Sequence, residues 1–318
     1  MRILVTGGAG FIGSHIVDAC VESGHEVLVI DDLSSGREEN VHPKARFERA
    51  DIRNVQHVDE LVLAFRPDFV NHHAAQVDVR RSVEDPHFDT EVNVLGAINL
   101  MWAAGQAGAR GFVFASSGGA MYGECPQPAM ESSPKTPLSP YGVAKLTAEM
   151  YLFTLGKLLG VKTAFLRYAN VYGPRQSPGG EAGVVSILSN RMLSGNVPLI
   201  FGNGEQIRDY VYVEDIAQVN LMMIEKSLLE LLEPTSVDAA AFNIATGNPV
   251  SVNALYNSLA KLCACVNTPH YANARPGEII ESRVDAQKAA DVLGFKPTFS
   301  LEEGLAKTVE WFREERGD

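Results

Sequence analysis

The first half of the chain alternates between short strand-like runs and longer amphipathic stretches. The run Ile3-Leu4-Val5 has the unbroken apolar character of a strand buried on both faces of a parallel sheet, and an amphipathic stretch from Ser14 to Val21 follows it. Further strand-like runs lie at 27–30, 46–50, 69–75 and 111–115, and apolar residues recur at helical spacing over 88–107. This repetition predicts an α/β fold with a Rossmann-type, doubly wound parallel sheet, whose ligands lie beyond the carboxyl ends of the strands.

A glycine-rich turn joins the first predicted strand to the first predicted helix. It can be read as Gly8-x-Gly10-x-x-Gly13 or as Gly7-x-x-Gly10-x-x-Gly13. Either spacing supplies a tight turn, a close backbone approach to a pyrophosphate and close packing of helix on strand, with free helix N–H groups near the phosphate. The strand–turn–helix context favours dinucleotide binding over a flexible turn without a ligand.

An acidic residue follows the second predicted strand. Asp31 comes about 20 residues after the glycine turn, where a carboxylate can accept a hydrogen bond from the ribose 2′-hydroxyl of a dinucleotide. The same negative charge repels a 2′-phosphate. We therefore expect the cofactor to be NAD rather than NADP.

Composition and charge exclude several classes of function. The chain has 318 residues and a formal net charge of -12, and its basic residues are dispersed, so neither a nucleic acid nor a membrane is expected as a partner. Its four cysteines lack metal-ligand spacing and indicate reduced thiols. The first predicted strand starts at residue 2, and no apolar run approaches the roughly 20 residues that span a bilayer. We expect a cytoplasmic protein without a signal peptide.

Two adjacent histidines, His72 and His73, lie on the fourth predicted strand. Adjacent residues on a strand point to opposite faces of the sheet, and no third ligand is spaced with this pair. We expect both histidines to be structural and predict no metal site.

A tyrosine and a lysine share one face of a predicted helix. A serine and a proline at 139–140 open this helix, and Tyr141 and Lys145 follow at i and i+4. An ordinary tyrosine, with a pKa of about 10, is a poor base at neutral pH, but a lysine cation and an oxidised nicotinamide nearby would lower that pKa. Such a pair often occurs by chance on a solvated helix face. Here it follows a Ser-Ser turn at 116–117 on the predicted carboxyl edge of the sheet, which favours an acid/base site.

Together these features resemble the extended short-chain dehydrogenases that act on nucleotide sugars, and within them the UDP-glucose (UDP-galactose) 4-epimerase family. The resemblance covers nearly the whole chain and rests on the order and spacing of motifs that are weak one by one. The motifs are the glycine turn 6–15, Asp31, Asp51-Ile52, Asn93, Ser116-Ser117, Tyr141 with Lys145, and the runs 167–175 and 208–215.

The resemblance implies a tightly held NAD that is reused in place. The implied cofactor-binding residues are Gly7, Gly10, Phe11, Ile12, Gly13, Asp31, Asp51, Ile52, Asn93, Tyr141 and Lys145. Asp51 and Ile52 would meet the adenine. The alternative for Asp51 is the N-cap of the following helix, and the two roles do not exclude each other.

The resemblance also implies the catalytic residues. Tyr141 would be the acid/base, Lys145 would bind the nicotinamide ribose and lower the pKa of the tyrosine, and a serine would share the proton of the sugar 4-hydroxyl. The family often has three small hydroxyl residues in the turn, whereas this chain has a glycine pair at 118–119. We choose Ser117, because only a hydroxyl can do this work, and keep Ser116 in reserve.

In the second half the resemblance implies a substrate side. Residues 1–172, with returning segments near 209–245, would form the NAD-binding domain, and 173–318 would form mainly a smaller C-terminal α/β domain that binds the UDP-sugar. The implied substrate-binding residues are Ser117, Tyr141, Asn170, Val184, Arg208, Arg275, Glu278 and Ser282. Arg208 and Arg275 would clamp the diphosphate, since guanidinium forks suit that geometry, and a surface ion pair is the alternative for each.

Ser282 bears on the breadth of substrates. In the family, the residue four positions after the acid of the Arg-x-Gly-Asp/Glu run walls the sugar pocket, and that residue is Ser282. A large tyrosine there blocks N-acetyl sugars and a small residue admits them, so UDP-GlcNAc and UDP-GalNAc are expected to be accepted. The alternative is a shifted loop that makes Ser282 an ordinary surface serine.

The implied activity is an NAD-dependent 4-epimerisation of UDP-hexoses, UDP-galactose to UDP-glucose, through a transient 4-keto sugar. A dehydratase or a UDP-glucuronate decarboxylase would carry acids in the turn occupied by the glycine pair, and a non-catalytic NAD-binding regulator typically loses the tyrosine or the lysine. A UDP-glucuronate 4-epimerase remains an alternative. The family further implies a homodimer, in which helices around 88–107 and 140–158 form a four-helix bundle with their mates.

Overall fold

The computed structural model of the chain describes residues 1–125, 127–179, 183–225, 233–274 and 279–317. Its strands are β1 (Arg2–Thr6), β2 (Glu26–Asp31), β3 (Arg46–Arg49), β4 (Phe69–His72), β5 (Gly111–Ser117), β6 (Lys162–Tyr168), β7 (Asn170–Tyr172), β8 (Leu199–Phe201), β9 (Ile207–Arg208), β10 (Tyr210–Tyr212), β11 (Ala241–Ile244), β12 (Val250–Ser251), β13 (His270–Ala272) and β14 (Glu281–Ser282). Its α-helices are α1 (Phe11–Glu22), α2 (Val55–Phe65), α3 (Val79–Glu84), α4 (Pro86–Thr90), α5 (Gly96–Ala107), α6 (Gly118–Met121), α7 (Pro140–Leu159), α8 (Val184–Leu193), α9 (Val213–Glu225), α10 (Val237–Ala240), α11 (Val252–Leu262) and α12 (Leu301–Arg316). A 3-10 turn covers Glu38–Asn40, and π-helical turns cover Glu91–Leu95 and Ala289–Leu293.

Seven parallel strands form the main sheet, in the order β11-β6-β5-β4-β1-β2-β3. The chain fills one half of the sheet from β1 outward to β3, and then returns to place β4 on the other side of β1. This reversal opens a crevice beyond the carboxyl ends of β1 and β4, where doubly wound folds bind their ligands. The Rossmann-type prediction is confirmed.

Helices cover both faces of the sheet because its strands are apolar on both sides. Ile3 and Val5 of β1 face one core, which α1 and α9 complete, while Leu4 faces a second core with α2, α5 and α7. All three side chains are fully buried. Burying a side chain of this size stabilises the fold by about 1.5–3 kcal/mol, which explains the unbroken apolar runs of the strands.

A smaller region packs against the carboxyl edge of this sheet. It contains three short sheets, β10-β7, β12-β9-β14 and β13-β8, and the helices α8, α11 and α12. Its core includes Tyr172, Leu188, Tyr212, Leu255 and Leu305, and Phe11 and Ile12 from the start of α1 pack against it. Helix α1 therefore contacts both the main sheet and the smaller region.

The predicted helix over 88–107 is interrupted. It begins as α4 at Pro86, where the Asp85 side chain accepts from Phe88 N at 3.0 Å, then passes through the π-helical turn and continues as α5. Single π-turns within helices often occur at functional sites. This one carries Asn93.

None of the helices in the described ranges is long and apolar enough to cross a membrane. The two adjacent histidines are buried beside the sheet edge: His72 Nδ1 lies 2.6 Å from Thr6 Oγ1, and His73 Nε2 lies 3.0 Å from Tyr168 Oη. Burial, with Lys145 nearby, lowers the pKa of His73 to about 3 and also lowers that of His72. Both rings are therefore neutral packing elements.

Candidate functional site

The glycine turn approaches neighbouring backbone too closely for side chains at two positions. Gly7 has a φ of 69° and donates its N–H to Ile30 O at 2.9 Å, and a Cβ there would lie 2.6 Å from Ala74 N. A Cβ at Gly13 would lie 2.1 Å from Gly7 O. Of the two spacings open from the sequence, this geometry favours the one that uses Gly7, with Gly10 between the two contacts.

The first turn of α1 is free to bind an anion. Its N-cap is Gly10, which has no capping side chain, and the N–H groups of Phe11, Ile12 and Gly13 have no acceptor within the helix. A helix N-terminus also carries partial positive charge. The turn and the helix therefore fit a pyrophosphate.

Asp31 ends β2 beside this turn. Its Oδ2 accepts from Ala9 N at 3.0 Å and its Oδ1 from Leu33 N at 2.8 Å, and burial raises the pKa of the carboxyl. Each carboxylate oxygen keeps a further lone pair for a ribose hydroxyl. The residues at this edge fit a dinucleotide whose ribose has no 2′-phosphate.

The two residues expected at the adenine differ in their surroundings. Asp51 is partly exposed and pairs with Arg53 at 2.6 Å, which lowers the pKa of the carboxyl. Ile52 is buried, and its side chain fills the space beside Gly96. The N-cap alternative for Asp51 is wrong, because the side chain that caps α2 is Asn54, which accepts from His57 N at 3.2 Å.

Tyr141 lies in the first turn of α7, opposite Ser117 at the end of β5. A side-chain hydrogen bond with Ser117 lowers the pKa of the phenol, but burial outweighs it and raises that pKa to about 12. The Ser116 hydroxyl is buried and has no hydrogen-bond partner within the described residues. Of the two serines, Ser117 is therefore the one beside the tyrosine.

Lys145 lies one turn further along α7 and is buried. Its Nζ donates to Ala115 O at 2.9 Å and lies 5.9 Å from the ring centre of Tyr141. Burial lowers the pKa of the lysine to about 8, against the carboxylates of Asp89 and Glu149. In the protein alone the tyrosine pKa thus moves opposite to the expected direction, because burial dominates. The charge of an oxidised nicotinamide is the remaining source of the expected lowering.

Asn93 is buried in a hydrogen-bond network that ties the π-turn to the loop after β4. Its Oδ1 accepts from Gln76 N at 3.1 Å, and its Nδ2 lies 2.9 Å from both Gln76 O and Asp89 Oδ1. Both amide hydrogens are therefore donated within the protein. A contact with the cofactor would have to use the remaining lone pair of Oδ1.

On the expected substrate side, Ser282 borders the glycine pair that follows Ser117. A Cβ at Gly119 would lie 3.9 Å from Ser282 Oγ. Arg208 donates to Ile279 O at 2.7 Å and to Ile280 O at 3.2 Å, next to the segment of the second expected arginine. Arg275 and Glu278 themselves lie outside the described residues.

Two further expected residues lie apart from the tyrosine. Asn170 is exposed at the start of β7, where its N–H donates to Asp209 O at 3.0 Å, and Val184 is the half-buried first residue of α8, after Gly183 as N-cap. No side-chain hydrogen bond of the described residues joins either of them to Tyr141. They line the smaller region.

A comparison of the sequence with protein families identifies the chain. The profile of the NAD dependent epimerase/dehydratase family matches residues 3–232. The chain belongs to this family. The cofactor expected from Asp31 and the glycine turn agrees with the family's dependence on NAD.

Individual relatives are similar to this chain over nearly its full length. UDP-glucose 4-epimerase of Mycolicibacterium smegmatis is 42% identical over 319 residues, covering 98% of this chain and 99% of its own. The structure of a UDP-glucose 4-epimerase from Thermotoga maritima with UDP-glucose has a TM-score of 0.94 and 44% identity, covering 99% of this chain and 100% of that one. The structure of a UDP-glucose 4-epimerase from Thermus thermophilus in complex with NAD has a TM-score of 0.91 and 41% identity, covering 98% of this chain and 99% of that one.

Sequence reasoning missed one support of α7, the helix that carries Tyr141, in this epimerase/dehydratase family member. Ser82, fully buried on α3, accepts from Tyr141 N at 3.2 Å, while Ser139 caps Gly142 N at 3.2 Å in the usual local way. The helix start is therefore capped twice. Capping rules examine neighbours along the chain, so they give no signal for a cap from a distant helix.

A second missed support of α7 is a buried ion pair one helical turn after Lys145. Glu149, the next residue on that face of α7, accepts from Arg167 Nε at 3.0 Å and from Arg167 Nη2 at 2.6 Å, and both side chains are fully buried. Tyr122 Oη also accepts from Arg167 Nη1 at 2.9 Å. A signal existed here, because an arginine within the apolar run of β6 needs a buried partner.

Proposed function

We propose that this protein is a UDP-glucose 4-epimerase, which interconverts UDP-galactose and UDP-glucose with a resident NAD. The observation that carries this is the group of Ser117, Tyr141 and Lys145 at the carboxyl end of β5, beside a glycine turn that fits a dinucleotide. The Mycolicibacterium relative and the Thermotoga structure, both similar over their whole length, carry the same name.

NAD, when bound, supplies the redox chemistry by taking a hydride from carbon 4 of the sugar and returning it to the same carbon. The glycine turn and the start of α1 hold the pyrophosphate, and Asp31 accepts from the adenosine ribose. Lys145 gives one of its three N–H bonds to Ala115 O, so two remain for the nicotinamide ribose. Asp51, Ile52 and the loop tied to Asn93 border the adenosine end.

Tyr141 handles the proton. Its phenolate takes the proton of the sugar 4-hydroxyl, and the phenol gives it back after the sugar has turned. Ser117, which hydrogen-bonds the phenol, shares this proton with the sugar hydroxyl. Because the 4-keto sugar must present both faces, the protein holds the UDP part more firmly than the hexose.

The glycine pair supports epimerisation over dehydration. A Cβ at Gly118 would lie 3.1 Å from Val284 Cγ1 and 3.2 Å from Arg167 O, so the acidic side chain that dehydratases carry in this turn does not fit without a shift. Without that acid the site lacks the group for proton transfer at carbons 5 and 6. Oxidation and reduction at carbon 4 remain.

On the sugar side, Ser282 is the pocket wall beside Gly119, and its small size favours the acceptance of UDP-GlcNAc and UDP-GalNAc. Arg208, with Arg275 from outside the described residues, binds the diphosphate, and Asn170, Val184 and Glu278 complete the UDP-sugar site. These residues belong mainly to 173–318, which we propose as the substrate domain beside an NAD domain of 1–172.

The protein is proposed to form a homodimer through α5 and α7, which pack side by side. Large apolar side chains on these helices and the preceding π-turn are about half exposed or more: Leu95, Trp102, Val143, Met150 and Leu158. Burying them against a second copy would form a four-helix bundle, and the mass in solution would be twice the 34.4 kDa of the chain. The four free cysteines support a cytoplasmic location.

The test is an anaerobic incubation of the purified protein with UDP-galactose, without added NAD. We expect UDP-glucose to form, and Tyr141→Phe to slow its formation by about 10²–10⁴-fold while the nicotinamide absorbance of the bound cofactor persists. Absence of product even with NAD supplied would contradict the substrate assignment and make UDP-glucuronate the next substrate to try.

A further inference from the structure

The buried charges around the catalytic helix are unequally paired. Arg167 and Glu149 are both fully buried and pair with each other through two hydrogen bonds. Lys145 is also buried, but the hydrogen bond that the described residues give its ammonium leads to a neutral carbonyl, Ala115 O. A buried ammonium needs a nearby negative charge, and Glu149 is already committed to Arg167.

Asp89 is the other carboxylate that acts on this lysine. It lies on α4, which packs against α7, and its side chain is fully buried. Its Oδ1 accepts from Gln76 Nε2 and Asn93 Nδ2, both at 2.9 Å, and its Oδ2 is buried without a hydrogen-bond partner among the described residues. Two neutral amides satisfy one oxygen but do not balance the charge.

We propose that Asp89 is the counter-charge of Lys145, a positioning residue that keeps the lysine in its ammonium form beside Tyr141. Lys145, whose ammonium donates to a neutral carbonyl, and Asp89, whose Oδ2 has no hydrogen-bond partner among the described residues, thus balance each other's charge across α4 and α7. The inference rests on the proposed function only in assigning Lys145 and Tyr141 to catalysis.

The directions of the pKa shifts of Lys145 and Asp89 agree with this pairing. Burial lowers the pKa of Lys145, while Asp89 and then Glu149 raise it; conversely, burial raises the pKa of Asp89 and Lys145 lowers it. Asp89 also raises the pKa of Tyr141. Removing the charge at position 89 should therefore lower the pKa of the lysine and of the tyrosine together.

The other titratable groups facing Lys145 do not replace this charge. His72 and His73, on β4 and just after it, are kept neutral by burial and by the lysine itself. Glu149 is paired with Arg167, and the variants at positions 85 and 89 change neither of these residues. A change at position 89 is thus the cleanest way to alter the charge that the lysine experiences.

Three variants separate charge from shape. Asp89→Asn keeps the Oδ1 acceptor for Gln76 and Asn93 and removes the charge, whereas Asp89→Glu restores a carboxylate. Asp85→Asn is the matched control, because it removes a carboxylate from the exposed N-cap of the same helix, where asparagine caps equally well. Asp89→Ser replaces Asp89→Asn if that variant does not fold.

The first readout is the pH titration of the Lys145 ¹³Cε resonance in holoenzyme labelled with [¹³C]lysine, assigned by its loss in Lys145→Arg. We expect the midpoint in Asp89→Asn to fall by about one pH unit or more. One unit below the wild-type midpoint, the unprotonated fraction then rises about fivefold. Asp85→Asn and Asp89→Glu should titrate near wild type.

The second readout is the pH profile of epimerisation. Asp89→Asn should move both limbs of the profile to lower pH, and Asp89→Glu should move them back, whereas structural damage alone would lower the rate at every pH. An unchanged lysine midpoint in Asp89→Asn, or an equal fall in Asp85→Asn, overturns the inference. Because the resonance needs no turnover, a wild-type protein without epimerase activity would count against the proposed function alone.

Discussion

The cofactor side and the sugar side of the site are built differently. On the cofactor side, the pyrophosphate is expected to meet backbone: a glycine turn held between a five-residue interior strand of the seven-stranded sheet and a twelve-residue helix, with the Asp31 side chain beside it. On the sugar side, β9 and β14 have two residues each, and the expected contacts come from side chains such as Arg208 and Ser282. Backbone that is packed within a sheet has one fixed conformation, whereas side chains on short strands near the surface can change rotamer.

This difference suits a reaction in which one ligand stays and the other moves. A cofactor that is reused in place needs a rigid site, and a hexose that shows both faces to it needs a permissive one. Helix α7, which carries Tyr141 and Lys145, is held by Ser82 and Ser139 at its start and by Arg167 through Glu149.

The largest effect is expected from adding one methyl group to the glycine turn on the cofactor side. In Gly13→Ala the new Cβ would lie 2.1 Å from Gly7 O, so the glycine turn must shift. We expect the purified variant to lose its NAD and to be destabilised by more than about 5 kcal/mol, since a clash with backbone has no side chain to yield.

The matched variant on the sugar side is Gly119→Ala, whose Cβ would meet only Ser282 Oγ at 3.9 Å within the described surroundings. It should keep its NAD and its stability and change only the KM for the sugar nucleotide. Cofactor content by absorbance and denaturant unfolding measure both variants. Equal loss of NAD in Gly13→Ala and Gly119→Ala would contradict the difference in rigidity between the cofactor side and the sugar side.

A smaller effect is expected from the buried ion pair that supports α7. Glu149→Gln removes the fully buried one of the two carboxylates that pair with Arg167 and leaves the partly exposed Asp238 at 3.1 Å, so we expect a loss of about 3 kcal/mol in the free energy of unfolding. The control is Glu48→Gln, which breaks the exposed pair with Arg46 and should cost less than about 1 kcal/mol. Urea unfolding of both variants gives the comparison, and similar costs would show that α7 does not depend on the buried pair.

The cofactor side was predictable from sequence because its requirements are local. Glycines at fixed spacing, an apolar strand before them and Asp31 after the next strand are all neighbours in the chain, and the structure brings them to one edge as expected. Of the two serines, Ser117 is the one that hydrogen-bonds the Tyr141 phenol, and its catalytic role stays a prediction.

The supports of Tyr141 and Lys145 were not predictable in the same way. Ser82 lies 59 residues from Tyr141, whose N–H it caps, and Asp89 comes near Lys145 through the packing of α4 on α7. The direction of the tyrosine pKa was wrong for the protein alone, because a sequence shows a nearby lysine but not the depth of burial. These features depend on tertiary packing, which short-range patterns do not encode.

The smallest expected effect, and the most specific, concerns Ser282, the proposed wall of the sugar pocket. Ser282 lies beside Gly119 with its hydroxyl 3.9 Å from where a Cβ would stand, so a larger side chain at 282 would extend over the turn that follows Ser117. We expect Ser282→Tyr to lower the activity on UDP-GalNAc relative to UDP-galactose by at least about tenfold, the discrimination that one or two extra groups produce in a pocket. Ser282→Ala, which keeps the wall small, should leave the ratio unchanged. Initial rates on both substrates measure it, and a ratio that stays at the wild-type value in Ser282→Tyr would mean that the permissive side of the site is bounded elsewhere.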